Sequence, residues 1–361
     1  MRASPAFALE RAVAPLDALR SACLKIFARS DAVSSLLFRR DRRLTLILTV
    51  HGTAAFLLAV YVPGLLFLIA PLALGAAHVA SDVRYLLLRP GVSRAWKRIS
   101  LAVCAALIAL RGAEELRFMS GTVELEMQLA VAWIFAAIVA GSFRRVGLRA
   151  WTAFAATAAV GSLALAHPAQ SRLVFLHLHN LVALLAWALF SPRLLRPQLA
   201  AVLLMLGAAG LLASGALYPV SLAQTPLFGL HVLQISDWLT PGLRADRGVG
   251  LATAYLFLQS VHYTIWLQLI PQEETSTQGT LTFRMSVRSA LEDFGTVGSI
   301  LVVAVVLLVV LLAFVSIHRA RDLYMSFASF HGYLELAMLT YFFTAARRPN
   351  AVPRAGVAPP G

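Results

Sequence analysis

Six histidines and two carboxylates stand inside apolar stretches of this chain. His262 lies in the run from Val249 to Ile270, within the segment Gln259-Ser260-Val261-His262-Tyr263-Thr264-Ile265-Trp266. Such a run is long enough to cross a bilayer. Gln259 precedes His262 by about one helical turn, so the two share a face. His51, His78, His177, His179 and His331 sit in similar runs. His78 and Asp82 are four residues apart, as are His331 and Glu335. Each of these pairs therefore falls on one helix face, a turn apart. An ionisable side chain inside a membrane is costly, and by default it marks a functional site.

Imidazoles and carboxylates on neighbouring helices suit a metal ion. Neutral imidazole binds zinc, copper, iron and nickel, and histidine with carboxylate and open positions suits non-haem iron. The two cysteines, Cys23 and Cys104, cannot form a thiolate cluster or a disulfide framework. The expected ligands are His78, His262, His331 and one of His177 or His179, with His51 a further candidate. His177 shares a face with Asn180 better than with His179. Asp82 and Glu335 are expected to orient imidazoles or to complete the coordination. Gln259 and Tyr263 are expected to line the pocket or meet the oxygen species. The expected ion is ferrous iron, with zinc and copper left open.

Blander readings exist for each residue. A lone histidine in a membrane often makes an interhelical hydrogen bond. Asp82 beside Arg84 can snorkel to the interface, and Tyr263, Trp266 and Tyr333 can be packing or interface anchors. Repetition on several helices favours a common site. Two other functions use the same groups. Chains of His, Asp and Glu relay protons in transporters, and two facing histidines can bind haem.

The elements that carry these residues follow from composition. The 361 residues are 59% hydrophobic and 13% charged, with a mean hydropathy of +0.77. Soluble domains carry about 25% charged residues. The expected fold is an all-α, multi-pass membrane bundle. Ten spans are expected: 44–62, 64–84, 99–114, 123–142, 149–167, 172–190, 198–217, 249–270, 298–317 and 323–343. With the N-terminus inside, all but Arg111, Arg117, Arg172, Arg244, Arg247, Arg319 and Arg321 of the 31 Lys and Arg fall on the cytoplasmic side. That is the positive-inside pattern, with both termini cytoplasmic and the protein in the inner membrane. The net charge of +14 then reflects topology and anionic lipid, not nucleic acid. Membrane lipid and an apolar small molecule are the expected partners. Residues 1–43 form a basic segment with an interfacial helix over 12–27, 44–343 the membrane domain, and 344–361 a disordered tail. The long loop 218–248 is expected to form a re-entrant or interfacial cap.

The segments Gly75-Ala76-Ala77-His78-Val79-Ala80-Ser81-Asp82 and Phe330-His331-Gly332-Tyr333-Leu334-Glu335 resemble motifs of the Brp/Blh family of bacterial membrane β-carotene 15,15′-dioxygenases. The span around His262 is similar to later histidine-bearing spans of that family. The resemblance covers short segments only. The family's Gly-x-Pro-His-Gly motif is missing, with His51-Gly52 keeping the last pair, and Glu335 stands in place of Asp. The resemblance implies iron held by histidines inside the membrane. Together these readings lead to an expected oxidoreductase, an oxygenase, desaturase or hydroxylase, acting on a lipid or an isoprenoid or carotenoid-like substrate.

Overall fold

The computed structural model describes residues 11–88, 92–143, 146–190, 196–273 and 282–345. Arg144, Arg145, Arg193 and all but the first two residues of the expected tail lie outside them. The described chain is helical. Only an isolated bridge joins Leu227 to Leu230.

In chain order the helices are α1 (Ala14–Phe27), α2 (Asp31–Phe38), α3 (Arg40–Tyr61), α4 (Pro63–Leu88), α5 (Arg94–Glu115), α6 (Thr122–Ser142), α7 (Leu148–Ala166) and α8 (Pro168–Phe190). There follow α9 (Arg196–Ala213), α10 (Tyr218–Leu222), α11 (Val232–Leu239), α12 (Ala245–Thr264), α13 (Phe283–Val315), α14 (Ile317–Ala328) and α15 (Phe330–Thr344). The ten segments expected to span are largely helical, but 214–217 form turns and Ser316 interrupts the ninth segment. By length and composition, α3, α4, α6, α7 and α13 are long and apolar enough to cross a membrane. The last expected span is broken, with Ser329 between α14 and α15.

Burial sorts the helices by role. Between Gly248 and Tyr263, α12 is buried on nearly every side, as expected for an apolar helix at the centre of a bundle. It packs against α3, α8, α9 and α11. At Gly250 a Cβ would lie 2.8 Å from the Gly215 amide nitrogen, so glycine lets the two backbones meet, a common device between membrane helices. The opposite case is α13. Only Val309 is buried along it, and its Leu, Val and Phe side chains face outward, as a lipid-facing helix requires. Gly295 interrupts α13 with φ 67°, a left-handed conformation open to glycine.

A helix, α1, covers most of the 12–27 segment. It docks through Asp17, whose carboxylate accepts the Phe283 and Arg284 amides at 2.7 and 3.2 Å and the Arg284 Nε at 3.1 Å. Asp17 thereby satisfies the free N–H groups that start α13. The 218–248 loop is not irregular. It contains α10 and α11, and α11 packs on α4 and α12. Trp238 of α11 lies 5.5 Å from Phe67.

Candidate metal centre

Three π-helical turns flank the histidines: Pro71–Gly75, Val83–Leu88 and Ile265–Leu269. Such turns widen a helix by one residue and recur at functional sites. Pro71 brings no N–H to the ladder, which favours an irregular turn there. The turn after His262 leaves the Trp266 carbonyl to accept Ser81 Oγ at 2.8 Å. That bond joins α4 to the π turn that follows α12, within about a turn of His78 and His262.

His78, His262, His331 and Glu335 converge. Each offers a ligand atom, and these atoms all lie within 4.8 Å of one another, in a group that could hold a metal ion. His262 Nε2 is 2.9 Å from His78 Nε2 and 3.1 Å from Glu335 Oε1. Asp82 stands at the edge, its Oδ2 3.3 Å from His78 Nε2. His78, Asp82, His262 and Glu335 have no solvent exposure. The ring of His179 lies 5.3 Å from those of both His262 and His331.

Two tautomers are set by the backbone. The His331 Nδ1 meets the carbonyl of Ala328, a group released where α14 ends. His179 Nδ1 contacts the Leu176 carbonyl at 2.8 Å. A carbonyl only accepts, so Nδ1 carries the proton in both rings and Nε2 keeps its lone pair. That arrangement is the usual support for a metal-binding imidazole. By contrast, Asp82 and Glu335 face Nε2 atoms, on the side where an ion would sit. Glu335 belongs to the group that could hold a metal ion, and Asp82 stands beside it.

The polar atoms at the centre also fit a cation. Both oxygens of Asp82 and of Glu335 are buried and make no hydrogen bond among the described residues. Buried carboxylates need a charge partner or a metal. One cation would engage the carboxylate oxygens and the imidazole lone pairs together.

The other expected residues separate clearly. His51 is exposed on α3 and does not join the cluster, because its face of the helix points away from the core. His177 turns the other way from His179. Its Nε2 donates to the Leu239 carbonyl at 2.8 Å, and its ring meets Tyr255 edge-on. It therefore holds α11 to α8, and His179 is the member of the pair that faces the site. Gln259 Nε2 donates to the Tyr255 hydroxyl at 3.2 Å. Tyr263 lies 5.1 Å from the His78 ring and hydrogen-bonds Tyr324.

Tyr324 escaped the sequence reading, and so did its support. A Cβ at Gly75 would lie 2.2 Å from the Tyr324 hydroxyl oxygen, so the ring occupies the space that glycine leaves. A Gly three residues before a histidine was the available signal. Also unread was Glu126 of α6, which is buried and takes Arg111 Nη2 at 2.8 Å and Tyr333 Oη at 2.7 Å. Arg111 also reaches Ser329 at the α14–α15 break, at 3.1 Å.

A cavity of about 490 Å³ opens beside the cluster, with His179 and His331 among its walls. Its volume is that of a small-molecule site. Comparison with protein-family models, with curated proteins and with solved structures finds no match for the chain.

Proposed function

We propose that the chain is a membrane-embedded oxidoreductase with iron held by His78, His262, His331 and Glu335, and with His179 beside it. The convergence of four ligand atoms from three helices within 4.8 Å carries this reading. Its spacings of 2.9 and 3.1 Å match those of neighbouring ligands on bonds of about 2.0–2.2 Å around one metal ion. Histidines and carboxylate with no thiolate favour iron over softer alternatives. The substrate in this reading is apolar, a lipid, isoprenoid or carotenoid-like molecule, and the chain is a distant relative of the Brp/Blh dioxygenases. The bundle has ten spans in the inner membrane with both termini cytoplasmic, as the charge bias suggests.

Iron, when bound, supplies redox activation of dioxygen next to a substrate carbon. The residues of the chain provide the setting. Tyr263 of α12 and Trp266 of the π turn after it, almost fully and fully buried, help keep water from the ligands, which strengthens every interaction of the ion. His179 and His331 present Nε2 with the proton held on Nδ1. Asp82 bounds the open side of His78. A haem reading is disfavoured by the 2.9 Å between His78 and His262 Nε2, which leaves no space for a macrocycle between two axial nitrogens.

The test is metal analysis of the purified full chain, with an optical spectrum and a dioxygen-uptake assay on apolar substrates. One iron per chain without a Soret band, and iron-dependent uptake, support the reading. A Soret band replaces it with a haem protein. Metal-free protein that carries protons across vesicles replaces it with a transporter.

A further inference from the structure

The cavity beside the cluster has an uneven character. The charged residues that line it sit toward helix ends. Arg111 is in the last turn of α5, Glu126 near the start of α6, Arg172 near the start of α8, and Arg321 near the start of α14. The other walls of the cavity are largely apolar and aromatic. Three guanidinium groups and one carboxylate line it.

Two of the arginines are already engaged. Arg111 pairs with Glu114 and Glu126 at 2.9 and 2.8 Å. Arg172 pairs with Glu114 at 3.1 Å and lies 3.8 Å from Glu126. Arg321 differs. Among the described residues its one ion pair is to the adjacent Asp322, at 2.9 Å, and that carboxylate is 59% exposed. Its guanidinium carbon lies 3.8 Å over the Phe67 ring, and the residue lines the cavity. Stacking on an aromatic face holds the planar group and leaves its edge free to bind an oxyanion.

Deeper in, the lining turns aromatic. Phe175 stacks on Tyr333 with centroids 4.6 Å apart and planes 6° from parallel. At the bottom lie His179 and His331. From Arg172 to His179 is seven residues of one helix, about 10 Å at 1.5 Å per residue.

We propose that this cavity binds an amphiphile with an oxyanion head, a carboxylate or a phosphate, held at Arg321. The apolar body lies along Phe175 and Tyr333, toward the His179–His331 floor. The assignment of that floor as the reacting end rests on the metal reading above. The binding of the head does not.

Full-length protein in neutral detergent is titrated calorimetrically with dodecanoate, its methyl ester, dodecyl phosphate and inorganic phosphate. Saturable binding of dodecanoate or dodecyl phosphate, at least about tenfold tighter than the ester, is expected from a charged hydrogen bond. The tighter of the two identifies the head. Arg321→Gln should abolish the preference over the ester, and Arg321→Lys should keep part of it. His262→Ala, which removes a proposed ligand, should leave the preference intact, so a failed metal reading shows separately as wild-type protein without metal. Equal binding of acid and ester by the wild type overturns the proposal without recourse to any variant. So does an unchanged ratio in folded Arg321→Gln, or equally tight binding of inorganic phosphate.

Discussion

Replacing His262 with alanine separates a ligand from a packing histidine by a wide margin. The side chain is fully buried, and its Nε2 touches both His78 and Glu335. Zinc ions held by four side chains bind with about 10–16 kcal/mol, so one ligand in four accounts for roughly 3 kcal/mol, near 100-fold in affinity. An interhelical hydrogen bond averages only about 0.6 kcal/mol, less than about threefold. Metal content is read by mass spectrometry after size exclusion in detergent, and thermal melting is followed with and without chelator. A ligand that binds only the native state adds about 2.7 kcal/mol when present at about a hundred times its Kd. Wild-type protein should therefore melt lower with chelator. His262→Ala should lose most of its metal and melt at one temperature in both conditions. His51→Ala is the matched control, since that exposed imidazole makes the same chemical change away from the cluster. The reasoning fails if His262→Ala keeps the metal content and chelator sensitivity of the wild type.

Gly75→Ala should destabilise the fold by about 1–3 kcal/mol in thermal unfolding, the cost of overpacking, because the new Cβ would overlap Tyr324. It should also lower metal retention by moving the tyrosine pair beside His78, whereas Gly147→Ala, with open space around its Cβ, should do neither. Asp17 should hold α1 in a pH-dependent way. Burial raises its pKa, but the amides of Phe283 and Arg284 and the Arg284 side chain lower it further, leaving it below the usual aspartate value of 3.8. A depressed carboxyl stabilises the folded state above its unfolded pKa and loses that contribution as the pH falls through its folded value. Protection of the α1 amides, taken relative to their intrinsic exchange rates, should thus fall in acid, and Asp17→Asn should show the lowered protection at neutral pH. In a background without Cys23 and Cys104, Val146→Cys should react with impermeant reagents only from the cytoplasmic side and Thr225→Cys only from the opposite one. Reversed labelling would overturn the orientation.

Much of the site was readable without coordinates. The type of each residue and the solvent around its helix suffice for that. A histidine in an apolar helix must be paired, bonded or bound to an ion, and the four-residue spacing of His78 with Asp82 and of His331 with Glu335 puts each pair on one face. The helical segments were equally legible, because a bilayer core demands continuous apolar helix. Sequence periodicity fixes neighbours within a helix only. Which face turns inward is decided by contacts with other helices. His51 and His78 look alike in sequence, yet one is exposed and the other fully buried. His177 and His179 are two residues apart and so point to different sides, and only packing shows that His179 faces the cluster while His177 binds the Leu239 carbonyl. Glu335 shares a face with His331, but the nitrogen it meets at 3.1 Å belongs to His262, on another helix. Arg111 and Glu126 each read as residues near the ends of apolar runs, with no sign of partnership across 15 positions, until the α5–α6 turn sets them 2.8 Å apart. Residue types and local spacing therefore determined the chemistry on offer, and the mutual rotation of the helices selected the atoms that meet, because side-chain direction around a helix axis is set by tertiary contacts.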